Sequence, residues 1–121
     1  MTHRGGPRGT EDVNHKLMLI DQYHLKQFAF FLKKLKQTPD VGGTNLLDNS
    51  MILYGSGMSD AGAQSLKNLP ILIAGRGRGK IKQGFHRRFP RGTPLCNIYA
   101  SMLQAMGVAV DSFADGRGRL S

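Results

Sequence analysis

The chain has one cysteine, Cys96, no tryptophan, and no apolar run of the ~18 residues that a membrane-spanning helix needs. A single cysteine excludes an intramolecular disulfide and a thiolate zinc knuckle. Acidic residues are also scarce, with 8 Asp+Glu against 17 Lys+Arg, so the 121 residues carry a formal net charge of +9. That imbalance implies attraction to anions: nucleic acid, a membrane surface, a phosphorylated or sulfated ligand, or an acidic partner. The bases are spread over several loops, so a charge that only solubilises gives the same pattern. Catalytic signatures are missing as well. Gly55-Ser56-Gly57 lacks the Gly-x-Ser-x-Gly spacing of a nucleophile elbow. His3, His15, His24 and His86 do not pair at metal-ligand spacing with a second His, Asp or Glu on an evident common face.

What is present reads as a small α/β unit. Hydrophobic residues make up 40% of the chain, enough for one modest core. Leu17, Ile20, His24, Phe28, Phe31, Leu32 and Leu35 recur at three- and four-residue steps, the spacing of one helix face. Thr10 or Asn14 is placed to cap this helix, with Glu11 and Asp12 at its positive end. Lys33, Lys34 and Lys36 suit its last turn, and Pro39 stops it. A turn-rich stretch around Gly42-Gly43 leads to two short apolar runs, Met51–Gly55 and Leu69–Ala74. Near-continuous apolar runs bounded by turn residues predict inner strands of a parallel sheet, buried on both faces. Residues 81–90 predict a small hairpin turning at Gln83-Gly84. A second helix is expected with Thr93 as cap, Pro94 at its first position and Gly107 at its end. Its stripe is Leu95, Ile98, Tyr99, Met102, Leu103 and Met106. Two inner strands need neighbours, and the first helix carries more large apolar groups than two strands and one helix cover, so a larger sheet is expected.

Two loops carry candidate chemistry. The first, Ser56 to Gly62, follows a strand, the usual position for a ligand in open α/β sheets. There Asp60 can hold a divalent cation, and Ser56 or Ser59 can orient a ligand. The commoner use of such a sequence is a turn in which Asp60 bonds its own backbone. The second, Gly75-Arg76-Gly77-Arg78-Gly79-Lys80, has the composition of a phosphate cradle but not the Gly-Lys-Ser/Thr ending of a P-loop. With Arg87, Arg88 and Arg91 beyond it, and Phe85 and Phe89 to stack a base, it can grip a polyanion; a solvated hairpin is the commoner outcome. Cys96, near a helix start, reads most simply as a small packing residue.

Several stretches together resemble one bacterial family. They are Ile20-Asp21-Gln22-Tyr23-His24-Leu25-Lys26-Gln27-Phe28-Ala29, Leu47 to Asp60, Asn68-Leu69-Pro70-Ile71-Leu72-Ile73-Ala74-Gly75, and Thr93-Pro94-Leu95-Cys96-Asn97-Ile98-Tyr99. The closing Met106-Gly107-Val108 and Asp111-Ser112-Phe113 follow the same pattern. The chain resembles the C-terminal part of the "domain of unknown function 1552" family, in the alkaline-phosphatase-like (sulfatase-like) superfamily. This resemblance implies the end of an α/β/α sandwich: two inner strands, a small hairpin and two amphipathic helices. It further implies that Met1 is an internal methionine of a longer, exported or periplasmic protein. The activity implied is metal-dependent hydrolysis of phosphate or sulfate esters, incomplete in this chain alone.

The sequence also departs from the pattern. Where superfamily hydrolases carry an Asp-His pair after a strand, Ser56-Gly57 stand here; Gln64 and Leu66 occupy places where relatives tend to have histidines. His3 and Asp60 remain as candidate ligands for a divalent metal of the zinc or calcium class. Arg76, Arg78, Lys80, Arg87 and Arg88 are the candidate anion-binding residues. The remainder of a parent chain and an anionic small molecule or polyanion are the expected partners. A basic module that binds polyanions or nucleic acid without chemistry is the alternative function.

Overall fold

The structure is a computed structural model and describes residues 10–59 and 63–118. Its first element, α1, is a 28-residue helix, Thr10–Gln37. Glu11 and Asp12 lie in its first turn and Lys34 and Lys36 in its last, each sign at the end of the helix dipole that favours it. Past the last turn, Thr38 Oγ1 donates to Lys34 O at 2.8 Å, satisfying one of the orphan carbonyls. A short 3-10 turn, Val41–Gly43, and a one-turn helix α2, Leu46–Asn49, follow. Asn45 caps α2, its Oδ1 accepting from Asp48 N at 2.9 Å.

Strands β1, Ile52–Gly55, and β2, Ile71–Ala74, form a two-stranded sheet. They pair antiparallel, with Ile52 opposite Ala74 and Gly55 opposite Ile71. The parallel arrangement expected from their apolar runs is therefore corrected. A parallel pair needs a crossover, usually a helix, to return the chain to the same end of the sheet. The connection 56–70 is rich in serine, glycine and alanine and has no helical apolar stripe, so β2 runs back beside β1. Neither strand is buried on both faces: most of their residues are half-buried, and Leu72 and Gly55 are exposed.

Residues 81–90 contain no strand, so the expected hairpin is absent too. Gln83 instead bonds back to the end of β2, its Nε2 donating to Gly75 O at 2.8 Å. The last helix, α3, spans Cys96–Ala105 and begins later than expected. Thr93 does not cap it; its hydroxyl donates back to Pro90 O at 2.8 Å. The helix end follows expectation. Gly107, at φ +88°, donates to Gln104 O, and Val108 N reaches Leu103 O, the paired bonds of a Schellman motif. The chain beyond folds back along α3. Asn97 Oδ1 accepts from Arg117 N at 2.9 Å, and Tyr99 meets Phe113 edge-on at 6.1 Å.

Packing is thin. Ala100 is the one fully buried apolar residue among those described. Along α1, Leu17, Phe28, Leu32 and Leu35 are half-buried, and Phe28 stacks on Tyr54 with ring centres 4.6 Å apart. Ile20, His24 and Phe31, expected on the same face, are exposed. So are Leu19, Tyr23 and Phe30, which at 3.6 residues per turn fall on nearly the opposite side of the helix. A helix with large apolar groups on two sides can bury both only between two layers, and one is supplied among the described residues. In solution the chain should therefore bind an environment-sensitive hydrophobic dye. The variant Leu19→Gln/Tyr23→Gln/Phe30→Gln should lose most of that fluorescence at unchanged helical circular dichroism. Dye-negative wild-type protein would mean that the stripe is covered.

Candidate anion-binding groove

The loop that follows β2 is fixed by its backbone. Arg76 N donates to Leu47 O at 3.3 Å, Gly77 N to Ser50 O at 3.0 Å and Arg78 N to Asp48 O at 2.9 Å. Three successive amides thus rest on the carbonyls of α2 and the residue after it. Two internal bonds close the loop, Lys80 N to Gly77 O at 3.3 Å and Ile81 N to Arg76 O at 3.0 Å. Contact this close requires glycine at two positions. A Cβ on Gly75, at φ +90°, would run into the Ser50 carbonyl; one on Gly77, at φ +51°, would stand 2.9 Å from Met51 Cγ. Both glycines are buried, whereas Arg76, Arg78, Gly79 and Lys80 between and after them are exposed.

On the facing side, residues 38–50 are held by side-chain bonds. Asn49 Nδ2 donates to Asp40 Oδ2 at 2.7 Å and to Thr44 Oγ1 at 2.8 Å, and Thr44 Oγ1 donates to Val41 O at 2.7 Å. Between the two loops runs an open groove of about 510 Å³, lined by Val41, Thr44, Asp48, Asn49, Arg76, Arg78 and Gly79. The Asn49 hydrogen bond, with a second from the Val41 amide, holds the Asp40 carboxyl below the usual Asp value near 3.8; the Arg78 charge adds to the same shift.

Of the expected anion-binding residues, Arg76 and Arg78 come together in this groove, whereas Lys80, Arg87 and Arg88 do not line it. Lys80 is exposed on the same loop, and Arg87 sits 5.4 Å from the centre of the Phe89 ring. The candidate metal ligands His3 and Asp60 lie outside the described residues. Ser56 and Ser59 are exposed and engaged locally. Ser56 Oγ accepts from Met58 N at 3.3 Å, while Ser59 N and Oγ both donate to Ser65 O. Among the described residues no three His, Cys, Asp or Glu side chains cluster as a metal site. The loop's remaining described side-chain oxygens, the hydroxyls of Ser56, Ser59 and Ser65 and the amide of the exposed Gln64, are weak ligands for zinc. Nor does any helix among the described residues have the length and apolarity to cross a membrane.

Sequence reasoning passed over the Asp40–Thr44–Asn49 side of the groove. The available signal was an Asn at 45, placed to cap a short turn, next to a Gly-Gly bend with polar residues on both sides. No family model, curated protein or solved structure matches the chain.

Two measurements check this geometry. Gly75→Ala combines a left-handed backbone with a clash against main chain, and should lower unfolding free energy by about 2–3 kcal/mol. A loss within about 0.5 kcal/mol, the range of an indifferent surface change, would show that the loop is not seated there. Asp40 has a depressed pKa in the fold, so the stability it contributes is present above the unfolded value near 3.8 and is lost as pH falls through the lower folded one. Carbon-detected NMR should find its carboxyl titrating below 3.8, and Asn49→Ala should move that midpoint upward.

Proposed function

We propose that this chain is the anion-holding part of an alkaline-phosphatase-like hydrolase and is inactive on its own. The observation that carries the reading is the row of amide bonds seating Arg76–Gly77–Arg78 on α2. Arginine is the side chain best shaped for tetrahedral oxyanions, because its planar fork offers parallel N–H donors. Two of them on a loop with little freedom lose less entropy on binding than two on a mobile loop. In such a hydrolase their role is to hold the ester anion and offset charge that develops as the bond breaks. The nucleophile would come from a segment outside these residues, as would any divalent metal of the zinc or calcium class beyond what His3 and Asp60 supply. A periplasmic or exported location belongs to the same reading. The ester chemistry rests on the family resemblance; the groove argues for the anion.

A second reading has its own support. Arg87 lies over Phe89, and Phe85 is 67% exposed, an arrangement that can stack bases beside phosphates in a polyanion-binding module. Calorimetric titration of the full chain separates the two. On the first reading inorganic phosphate and sulfate bind, and Arg76→Ala weakens them about tenfold or more, the worth of a charge-assisted hydrogen bond. On the second, oligonucleotide affinity falls steeply with salt, and Arg87→Ala or Phe89→Ala lowers it while Arg76→Ala matters little. Absence of phosphate, sulfate and oligonucleotide binding at low salt would exclude both.

A further inference from the structure

One side of α1 is half-buried through Leu17, Phe28, Leu32 and Leu35. The adjoining side is apolar and open. Leu19, Ile20, Tyr23, Phe30 and Phe31 are each 48–59% exposed. At 3.6 residues per turn they share an arc of about 120° of the helix. Charge along the same helix is sorted by position. Thr10–Tyr23 carries Glu11, Asp12 and Asp21 against Lys16, whereas His24–Gln37 carries Lys26, Lys33, Lys34 and Lys36 and no acid. Laid antiparallel on a copy of itself, the helix brings its acidic half to the other's basic half. Laid parallel, it brings like charges together.

We propose that this arc is a self-association surface, and that its partner is α1 of a second copy of this chain, packed antiparallel. A two-fold axis near Leu25 puts Leu19 opposite Phe31 and Ile20 opposite Phe30, so the two apolar segments coincide. Lys34 of one copy then comes beside the Asp12–Lys16 ion pair of the other, whose atoms are 2.6 Å apart. A lipid surface fits the face less well. Lys16 and Lys34 fall midway across the apolar arc, whereas a helix lying in a membrane interface keeps its cations on the polar face. In a helix pair the same two lysines stand beyond the ends of the Leu19–Phe31 segment, at a solvated rim.

The size of the face sets the strength of the contact. Large aromatic side chains bury roughly 150–250 Å² each, so five large residues about half exposed offer on the order of 500 Å² per copy. A standard stable interface needs ~800 Å² per partner. The dimer is therefore reversible, and the dilute chain keeps its dye-binding face. None of this uses the groove, so the inference stands or falls separately from the anion-holding reading.

Sedimentation equilibrium of the full chain, from micromolar to millimolar concentration, is the test. The average mass should rise toward twice that of one chain, while dye fluorescence per chain falls over the same range. Leu19→Gln/Tyr23→Gln/Phe30→Gln should stay monomeric throughout with its helical circular dichroism intact. Met18→Gln/Leu25→Gln removes apolar groups exposed on the far side of α1 from the arc, and should dimerise as the wild type does. Spin labels at Lys36→Cys, in a Cys96→Ser background, should lie roughly 35 Å apart in the antiparallel dimer. A wild type that is monomeric at every concentration overturns the proposal, as does a triple variant that still dimerises. A label separation under about 20 Å, the mark of parallel helices, overturns it as well. So does loss of the dimer in Met18→Gln/Leu25→Gln, because association would then be unspecific. Wild-type binding to phosphatidylserine vesicles that the triple variant loses, with no dimer in solution, would assign the face to a lipid surface and overturn the second copy as its partner.

Discussion

The anion-holding reading of this chain depends on one contact: the backbone of residues 76–78 resting on the carbonyls of Leu47, Asp48 and Ser50. A main-chain ladder of this sort is indifferent to side-chain chemistry, which leaves Arg76 and Arg78 available to the groove. It does constrain the spacing residues. Gly75 and Gly77 must lack a Cβ, one because of the Ser50 carbonyl and the other because of Met51. The alternation of glycine and arginine thus has two causes. The glycines at 75 and 77 allow the approach, and the arginines use the positions that the approach leaves exposed. Composition alone makes such a segment look flexible. Its hydrogen bonds make it one of the better-fixed loops of the chain.

The other wall of the groove is held by different means. Asp40, Thr44 and Asn49 bond to one another through side chains, and α2 is too short to be stable without the Asn45 cap and its neighbours. The loop after β2 and the turn before β1 are therefore joined twice. The antiparallel ladder brings Ala74 opposite Ile52, and the amide bonds then continue the pairing past the end of the sheet. Here lies a physical consequence of antiparallel pairing. The end of β2 lies beside the start of β1, so the segment after β2 meets the segment before β1. With parallel strands those two segments would sit at opposite ends of the sheet.

The sequence made the helices and the site of one loop legible, and it misled on the sheet. The three- and four-residue apolar spacing of α1, its charged ends and Pro39 marked a helix that is present over Thr10–Gln37. Gly107 marked the end of α3 through its need for a left-handed residue. Strand direction was not encoded in the apolar runs themselves, since Met51–Gly55 reads the same in either pairing; the informative segment was 56–70, whose lack of a helical stripe rules out a crossover. Thr93 and Pro94 matched a helix start in kind but not in place, because Thr93 found a closer partner in Pro90 O. The groove was half-readable. Arg76 and Arg78 stood out by charge, whereas Asp40, Asp48 and Asn49, well upstream and ordinary in composition, are joined to them only by the fold.

The contrast between α1 and the groove explains how a site can be well defined in a chain with so little core. Ordering each residue costs ~1–2 kcal/mol of backbone entropy, which burial of apolar surface ordinarily offsets. Among the described residues Ala100 alone is fully buried, and the Leu19–Tyr23–Phe30 stripe of α1 contributes nothing while it faces water. Covering that stripe would add stability to α1 and to the Phe28–Tyr54 contact that anchors it to β1. The groove's lining lies within residues 41–79, its walls are bonded directly to each other, and it meets α1 through α2, which packs against that helix. Global stability is therefore limited by the uncovered face of α1, the groove's local geometry is set by the hydrogen bonds between its walls, and α2 is the element that links the two.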